Sequence, residues 1–187
     1  METARLLLTA PAAGDAAMIF RRYASDPEVT RFLGWPRHQS IAETQAFLAF
    51  SAREWERTPA GPYLIWSMDG ALLLGATGLA VVDVWQAVTG YVLARDAWGN
   101  GYATEVLSAM VDLARGLGFE RLTAECHHQH QASWRVLEKC GFMRDNGMRQ
   151  TKFPNLLPGV PQAAFSYTKR LIPVTSGARI PGLLSPA

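Results

Sequence analysis

GYVLARDAWGNGYATEV, residues 90–106, is the stretch whose reading decides the fold. Its first half, Tyr91-Val92-Leu93-Ala94, is an apolar run that stops at the charged pair Arg95-Asp96. A small-residue turn follows, Trp98-Gly99-Asn100-Gly101-Tyr102-Ala103. A helical pattern then starts at once, with Val106, Leu107, Met110, Val111, Leu113, Ala114 and Leu117 at helical spacing. A strand therefore feeds a Gly-rich turn that opens a helix. The first-turn N–H groups of such a helix lack backbone partners, and its dipole adds partial positive charge. Glycine lets the backbone approach a ligand closely, so a phosphate or pyrophosphate is the expected occupant.

Upstream, Arg5 to Thr9 reads as a first strand. Asp15 is an expected N-cap for a helix with Ile19, Phe20 and Tyr23 on one face. Asp26-Pro27 restarts helix. Ser40 and Glu43 form a capping box for a helix carrying Ile41, Phe47, Leu48 and Trp55. Extended segments are expected at residues 63–68 and 72–82, with Asp69-Gly70 as the hairpin turn between them, and at 87–94. Downstream, Gly118 ends the long helix. Arg121 to Cys126 is a strand reached by a helical crossover, and so parallel to the loop strand. A short helix at 132–139 and two late strands, 143–152 and 163–171, complete the pattern. The order is that of an α/β protein with a mixed sheet.

The turn Trp98-Gly99-Asn100-Gly101-Tyr102-Ala103 resembles the pyrophosphate loop of the GNAT N-acetyltransferases, written Q/R-x-x-G-x-G/A. The wider stretch is similar to the RimJ/RimL-like branch, where an aromatic often takes the Q/R position. Trp98 removes a side-chain donor there but leaves the backbone cradle. A second motif agrees: HQASWRVLEKCGF, residues 130–142, resembles N-x-x-S-x-x-x-x-E-K-x-G-F, matching at Ser133, Glu138, Lys139, Gly141 and Phe142. The resemblance implies a GNAT-like α/β fold. Its sheet is mixed but mostly antiparallel, of about six to seven strands, with helices on both faces. It spans a single domain, residues 1–171, and leaves 172–187 as a flexible tail.

It also implies acetyl-CoA as cosubstrate and direct transfer to a primary amine. The cofactor-binding residues would be Val92, Leu93, Ala94, Trp98, Gly99, Asn100, Gly101, Tyr102, Ala103, Thr104, His130 and Ser133. The family Asn that bonds the pantetheine arm is His130 here, and Ser133 is the expected acid for the leaving thiolate. Imidazole titrates near neutral pH, so His130 is a second candidate acid. The acceptor is a small-molecule amine or a protein N-terminus, and the variable helices within residues 15–57 would shape its pocket. Trp35, Trp55, Trp66 and Trp85 are candidate pocket aromatics, packing being the plainer reading for Trp55 and Trp66. No dedicated general base is evident: Val88 and Thr89 stand where the branch often has Glu, and Asp83 and Glu125 are the nearest carboxylates.

Other classes fit less well. A CoA-binding sensor without transferase activity is the rival reading. A nucleotide-binding phosphate loop lacks its G-K-[ST]. The 187-residue chain carries a formal charge of +2 and no basic runs, so nucleic acid is not an expected partner. No apolar run is long enough for a membrane span or a signal peptide, so a cytoplasmic monomer or homodimer is expected. Cys126 and Cys140 form neither a disulfide framework nor a CxxC site. His127, His128 and His130 with Cys126 invite a metal reading. It is set aside because consecutive strand residues point to opposite faces, and no metal is expected.

Overall fold

A computed structural model describes residues 1–58 and 60–172 of the chain. The expected tail lies outside the described residues from 173 onward. Among the described residues, eight strands form one sheet: β1 (Leu6–Thr9), β2 (Tyr63–Ser67), β3 (Leu73–Val81), β4 (Gln86–Leu93), β5 (Arg121–His127), β6 (Met143–Arg144), β7 (Arg149–Lys152) and β8 (Pro161–Arg170). The spatial order is β1-β2-β3-β4-β5-β8-β6, with β7 also on β8. Every pairing is antiparallel except β4 with β5. The strand expected at 143–152 is two strands on one flank of β8. Asp145-Asn146-Gly147 interrupts it, with Gly147 at positive φ.

The helices cover both faces. On one, α1 (Ala16–Ile19), a π turn (Phe20–Ala24), α2 (Pro27–Thr30) and α3 (Ile41–Arg57) follow β1. Ile19, Tyr23, Val29 and Leu48 pack there on Leu64, Leu73 and Ala76 of the sheet. On the other, α4 (Tyr102–Gly116) and α5 (Gln131–Lys139) bury Val106, Leu107, Met110, Val111 and Leu137 against Leu74, Leu93, Leu122 and Tyr167. Alternation along β2 and β3 explains the division: Leu64 and Leu73 face one cluster, Ile65 and Leu74 the other.

Several local expectations change. Asp15 does not cap α1; a 3-10 turn, Ala13–Asp15, precedes the helix, and the Asp15 carboxylate accepts from the Ala12 N–H. Ser40 caps α3 as expected, but Glu43 reaches back to the Gln39 N–H rather than to that of Ser40. Ile41 is exposed, and α3 buries Thr44, Leu48 and Ser51 instead. Asp26 caps α2 by accepting from the Glu28 and Val29 N–H groups. The long helix ends as expected: Gly118, at φ 86°, donates to Arg115 O, and Phe119 donates to Ala114 O.

Candidate functional site

The parallel pairing of β4 with β5 covers only Gln86, Ala87 and Val88 against Arg121, Leu122 and Thr123. Beyond it the strands part. The far side of β4 stays fully paired with β3 as far as Leu93, and β5 stays paired with β8 as far as His127. The sheet therefore remains whole around a gap in its middle. A cavity of about 1280 Å3 occupies this gap and reaches the helices that follow β1. Its walls include Val88 to Val92 of β4, Ala124 to Cys126 of β5, and His130, Ser133 and Leu137 beside and along α5.

The antiparallel ladder decides which β4 amides face the gap. Ala94 N–H donates to Leu74 O across β3, at 2.8 Å. Residues alternate in an antiparallel ladder, so Val92 also points its N–H at β3, where it lies opposite Ala76. The N–H groups of Tyr91 and Leu93 point toward β5. Of the expected arm-binding amides Val92, Leu93 and Ala94, only that of Leu93 is turned to the gap, and Tyr91 joins it. The sequence carried this signal only through the register, which pairing with β3 sets.

The loop at the end of β4 lies apart from the cavity lining and has the form of an anion cradle. Gly99 and Gly101 both sit at φ 79°, in the left-handed region, and Gly101 is the N-cap of α4. Among the described residues, no protein group accepts from the backbone N–H groups of residues 99–104. Glu105 N–H is the first to be engaged, by Gly101 O. Six neighbouring donors at a helix N-terminus suit a pyrophosphate. A Cβ on Gly99 would meet nothing within 4 Å, leaving the loop surface open to a ligand. Trp98, at the Q/R position, turns its indole back and donates to Leu93 O at 2.8 Å. Asn100 donates to Ala97 O and Trp98 O, tightening the turn. Arg5, which sequence reasoning missed, reaches the loop from the N-terminus. It donates to Asn100 O and lies over the Tyr102 ring. Thr104 O accepts from the Cys140 thiol, joining the first turn of α4 to the end of α5.

On α5, Ser133 faces β4. The Tyr91 hydroxyl lies 3.1 Å from Ser133 O and 3.2 Å from Ser133 Oγ. Burial raises the Tyr91 phenol well above its ordinary pKa, so it stays protonated. Burial likewise pushes the Cys126 thiol up to about 12, the Ser133 hydroxyl beside it offsetting part of the shift. The rest of the second motif holds α5 in place. Glu138 accepts from the Tyr167 hydroxyl, Gly141 takes φ 74° at the helix end, and Phe142 is buried.

His130 precedes α5, and its carbonyl accepts from the Ser133 and Trp134 N–H groups. Its ring stacks on Phe32 at 4.8 Å, and His127 stacks on Phe32 at 5.0 Å. Burial, with His127 nearby, lowers the His130 pKa to about 4. The expectation of a titration near neutral pH therefore fails: His130 is uncharged at pH 7. His127 and His128 do lie together, ring centroids 4.5 Å apart, because β5 ends at His127 and alternation stops there. Among the described residues, no group of three His, Cys, Asp or Glu side chains is placed to hold a metal ion. Asp83 caps its turn by accepting from Trp85 and Gln86 N–H groups. Glu125 lines the cavity and accepts from the Thr151 hydroxyl. Trp35 lines the cavity too, whereas Trp55 and Trp66 bond Pro62 O and Thr9 Oγ1 and serve packing. Trp85 is exposed in its turn and lies outside the cavity wall.

Residues 5–143 match the profile of the acetyltransferase (GNAT) domain. The chain belongs to the GNAT acetyltransferase family. It is 30% identical over 161 residues to the uncharacterized N-acetyltransferase YoaA of Bacillus subtilis (strain 168), covering 84% of this chain and 90% of that one. In structure it resembles a RimL ribosomal L7/L12 alpha-N-protein acetyltransferase in complex with coenzyme A. The TM-score is 0.79 at 21% identity, covering 90% of this chain and 96% of that one. It also resembles the spermidine N-acetyltransferase of Vibrio cholerae in complex with CoA and spermine, with a TM-score of 0.74 at 15% identity, covering 88% and 95%. This GNAT protein is thus an N-acetyltransferase with acetyl-CoA as its donor. Among the described residues, no helix is long and apolar enough to cross a membrane.

Proposed function

We propose that the chain transfers acetyl from acetyl-CoA directly to a primary amine, a small molecule or a protein N-terminus, within the gap between β4 and β5. The observation that carries this reading is the combination of a free-amide loop at 99–104, on the segment that continues β4, with a cavity where β4 and β5 part. The loop holds the pyrophosphate, and the Tyr91 and Leu93 amides hold the acyl-bearing arm. Ser133 and His130 line the passage. One domain, residues 1–171, carries the whole site.

The amine nitrogen forms a bond to the acetyl carbon as the carbon–sulfur bond breaks. Ser133 gives its hydroxyl proton to the departing thiolate, and Tyr91 holds Ser133 in place. The amine proton passes through water toward Glu125 and the open mouth, from which Ser133 is reprotonated. The products are an N-acetyl amine and the free thiol. Holding both reactants in one cavity lowers the entropic barrier by ~7 kcal/mol or more.

The test is release of free thiol from acetyl-CoA against a panel of amines. Acetyl-CoA binding without thiol release for any amine would instead make the chain a CoA-binding sensor.

A further inference from the structure

We propose that the acceptor is a monoamine on an apolar, ring-sized body, and that this cavity selects against polyamines and polar-bodied amines. The inference rests on the transferase reading and names the substrate class of the same site.

The acceptor side of the cavity is built from two ring groups. Phe32 stacks with both His127 and His130, and His127 meets Phe153 edge-on at 4.9 Å. Trp35 packs on His38 at 5.3 Å, and His38 neighbours Phe47. Phe50, one turn beyond Phe47 on α3, lines the cavity while half its surface stays open to solvent. Aromatic walls of this kind bind apolar bodies by area and by ring packing.

The polar groups are deployed elsewhere. Burial lowers the pKa of each of the three imidazoles and so favours their neutral forms. The Thr77 and Thr89 hydroxyls are turned to backbone carbonyls of the β3–β4 ladder. Three carboxylates reach the wall. Glu54 faces the Arg57 guanidinium at 3.3 Å, and Glu125 faces Arg149 at 3.9 Å. Glu43 is exposed on α3 and accepts from the Gln39 N–H. Among the described residues, these three carboxylates are all at least partly open to water, and none is buried inside to receive a second ammonium; an unpaired buried charge is expensive. The same surroundings favour the uncharged form of the one amine that must react, since desolvation lowers an ammonium pKa. This suits a site without a dedicated base on β4.

The experiment measures thiol release from acetyl-CoA by the full chain with phenethylamine, isopentylamine, serinamide and spermidine. The two apolar monoamines should exceed spermidine in kcat/KM by ~100-fold or more, with serinamide between. Phe50→Glu, at a half-exposed position that tolerates charge, should narrow the gap between phenethylamine and spermidine at least tenfold. Spermidine or serinamide used as well as phenethylamine would overturn the acceptor class and leave the transferase standing. A Phe50→Glu variant with unchanged ratios would also overturn it. Acetyl-CoA binding without turnover of any of the four amines would overturn both readings.

Discussion

Arg5 and Glu105, 100 residues apart in sequence, meet in a 2.7 Å ion pair beside the 99–104 loop. Glu105 Oε1 also accepts from the Thr3 hydroxyl and the Arg5 N–H, which holds its carboxyl below the usual range despite partial burial. Arg5 donates in addition to Asn100 O. That bond draws a loop carbonyl away from the cradle, and the guanidinium offsets a carboxylate in the first turn of α4. An anion would otherwise meet that carboxylate at the helix end. Arg5 thus brings to the loop a cation that Trp98 does not provide. Arg5→Ala should weaken acetyl-CoA binding about tenfold, equal to ~1.4 kcal/mol. S-acetylpantetheine, which lacks the pyrophosphate, should keep its KM. Equal losses for both donors would limit Arg5 to general packing.

Gly101→Val should abolish measurable acetyl-CoA binding. The left-handed backbone at Gly101 resists a side chain by roughly 1–2 kcal/mol, more for a β-branched one, so the loop itself will shift. The nearest atom to an added Cβ is Arg5 Nη2 at 3.6 Å, an ordinary contact, so the rest of the fold should survive. Calorimetric titration beside circular dichroism checks both halves. A folded variant with parental affinity would place the pyrophosphate elsewhere.

Ser133→Ala should reduce turnover ~100-fold or more, the usual scale of general acid help. Its affinity for acetyl-CoA should stay within about tenfold, the scale of one lost hydrogen bond. Tyr91→Phe should lower kcat less and leave the acceptor KM unchanged, as expected of a positioning residue. If Ser133→Ala turns over within twofold of the parent, the thiolate takes its proton from water.

The pH dependence of stability should carry the mark of His130. Its pKa of about 4 in the fold lies below the ordinary 6.5, so the unfolded chain binds more protons between those values. The contribution is fully present above pH 6.5 and is lost as pH falls toward 4, by as much as ~3 kcal/mol. His127 and His38, also lowered by burial, act in the same direction. Melting temperatures of the parent and His130→Asn should converge in slope above pH 7, with the variant flatter below. Parallel curves across pH 4–7 would mean that His130 is open to water.

The sequence by itself determined the elements and the chemistry that depends on neighbours in the chain. The two αL glycines of 98–103, the helix ends at Gly118 and Gly141, and the strand–turn–helix order are local, because backbone conformation and capping involve residues a few positions apart. The loop and the 130–142 motif therefore named the family and its donor. Tertiary structure decided what depends on distant neighbours. The register with β3 turned the Leu93 amide to the gap and Val92 and Ala94 away. An ion pair with Glu105, 100 residues away in sequence, brought Arg5 to the loop. Above all, burial beside Phe32, with His127 nearby, lowers the His130 pKa: the titration of a side chain is set by its surroundings, and no spacing along the chain states which rings will bury it.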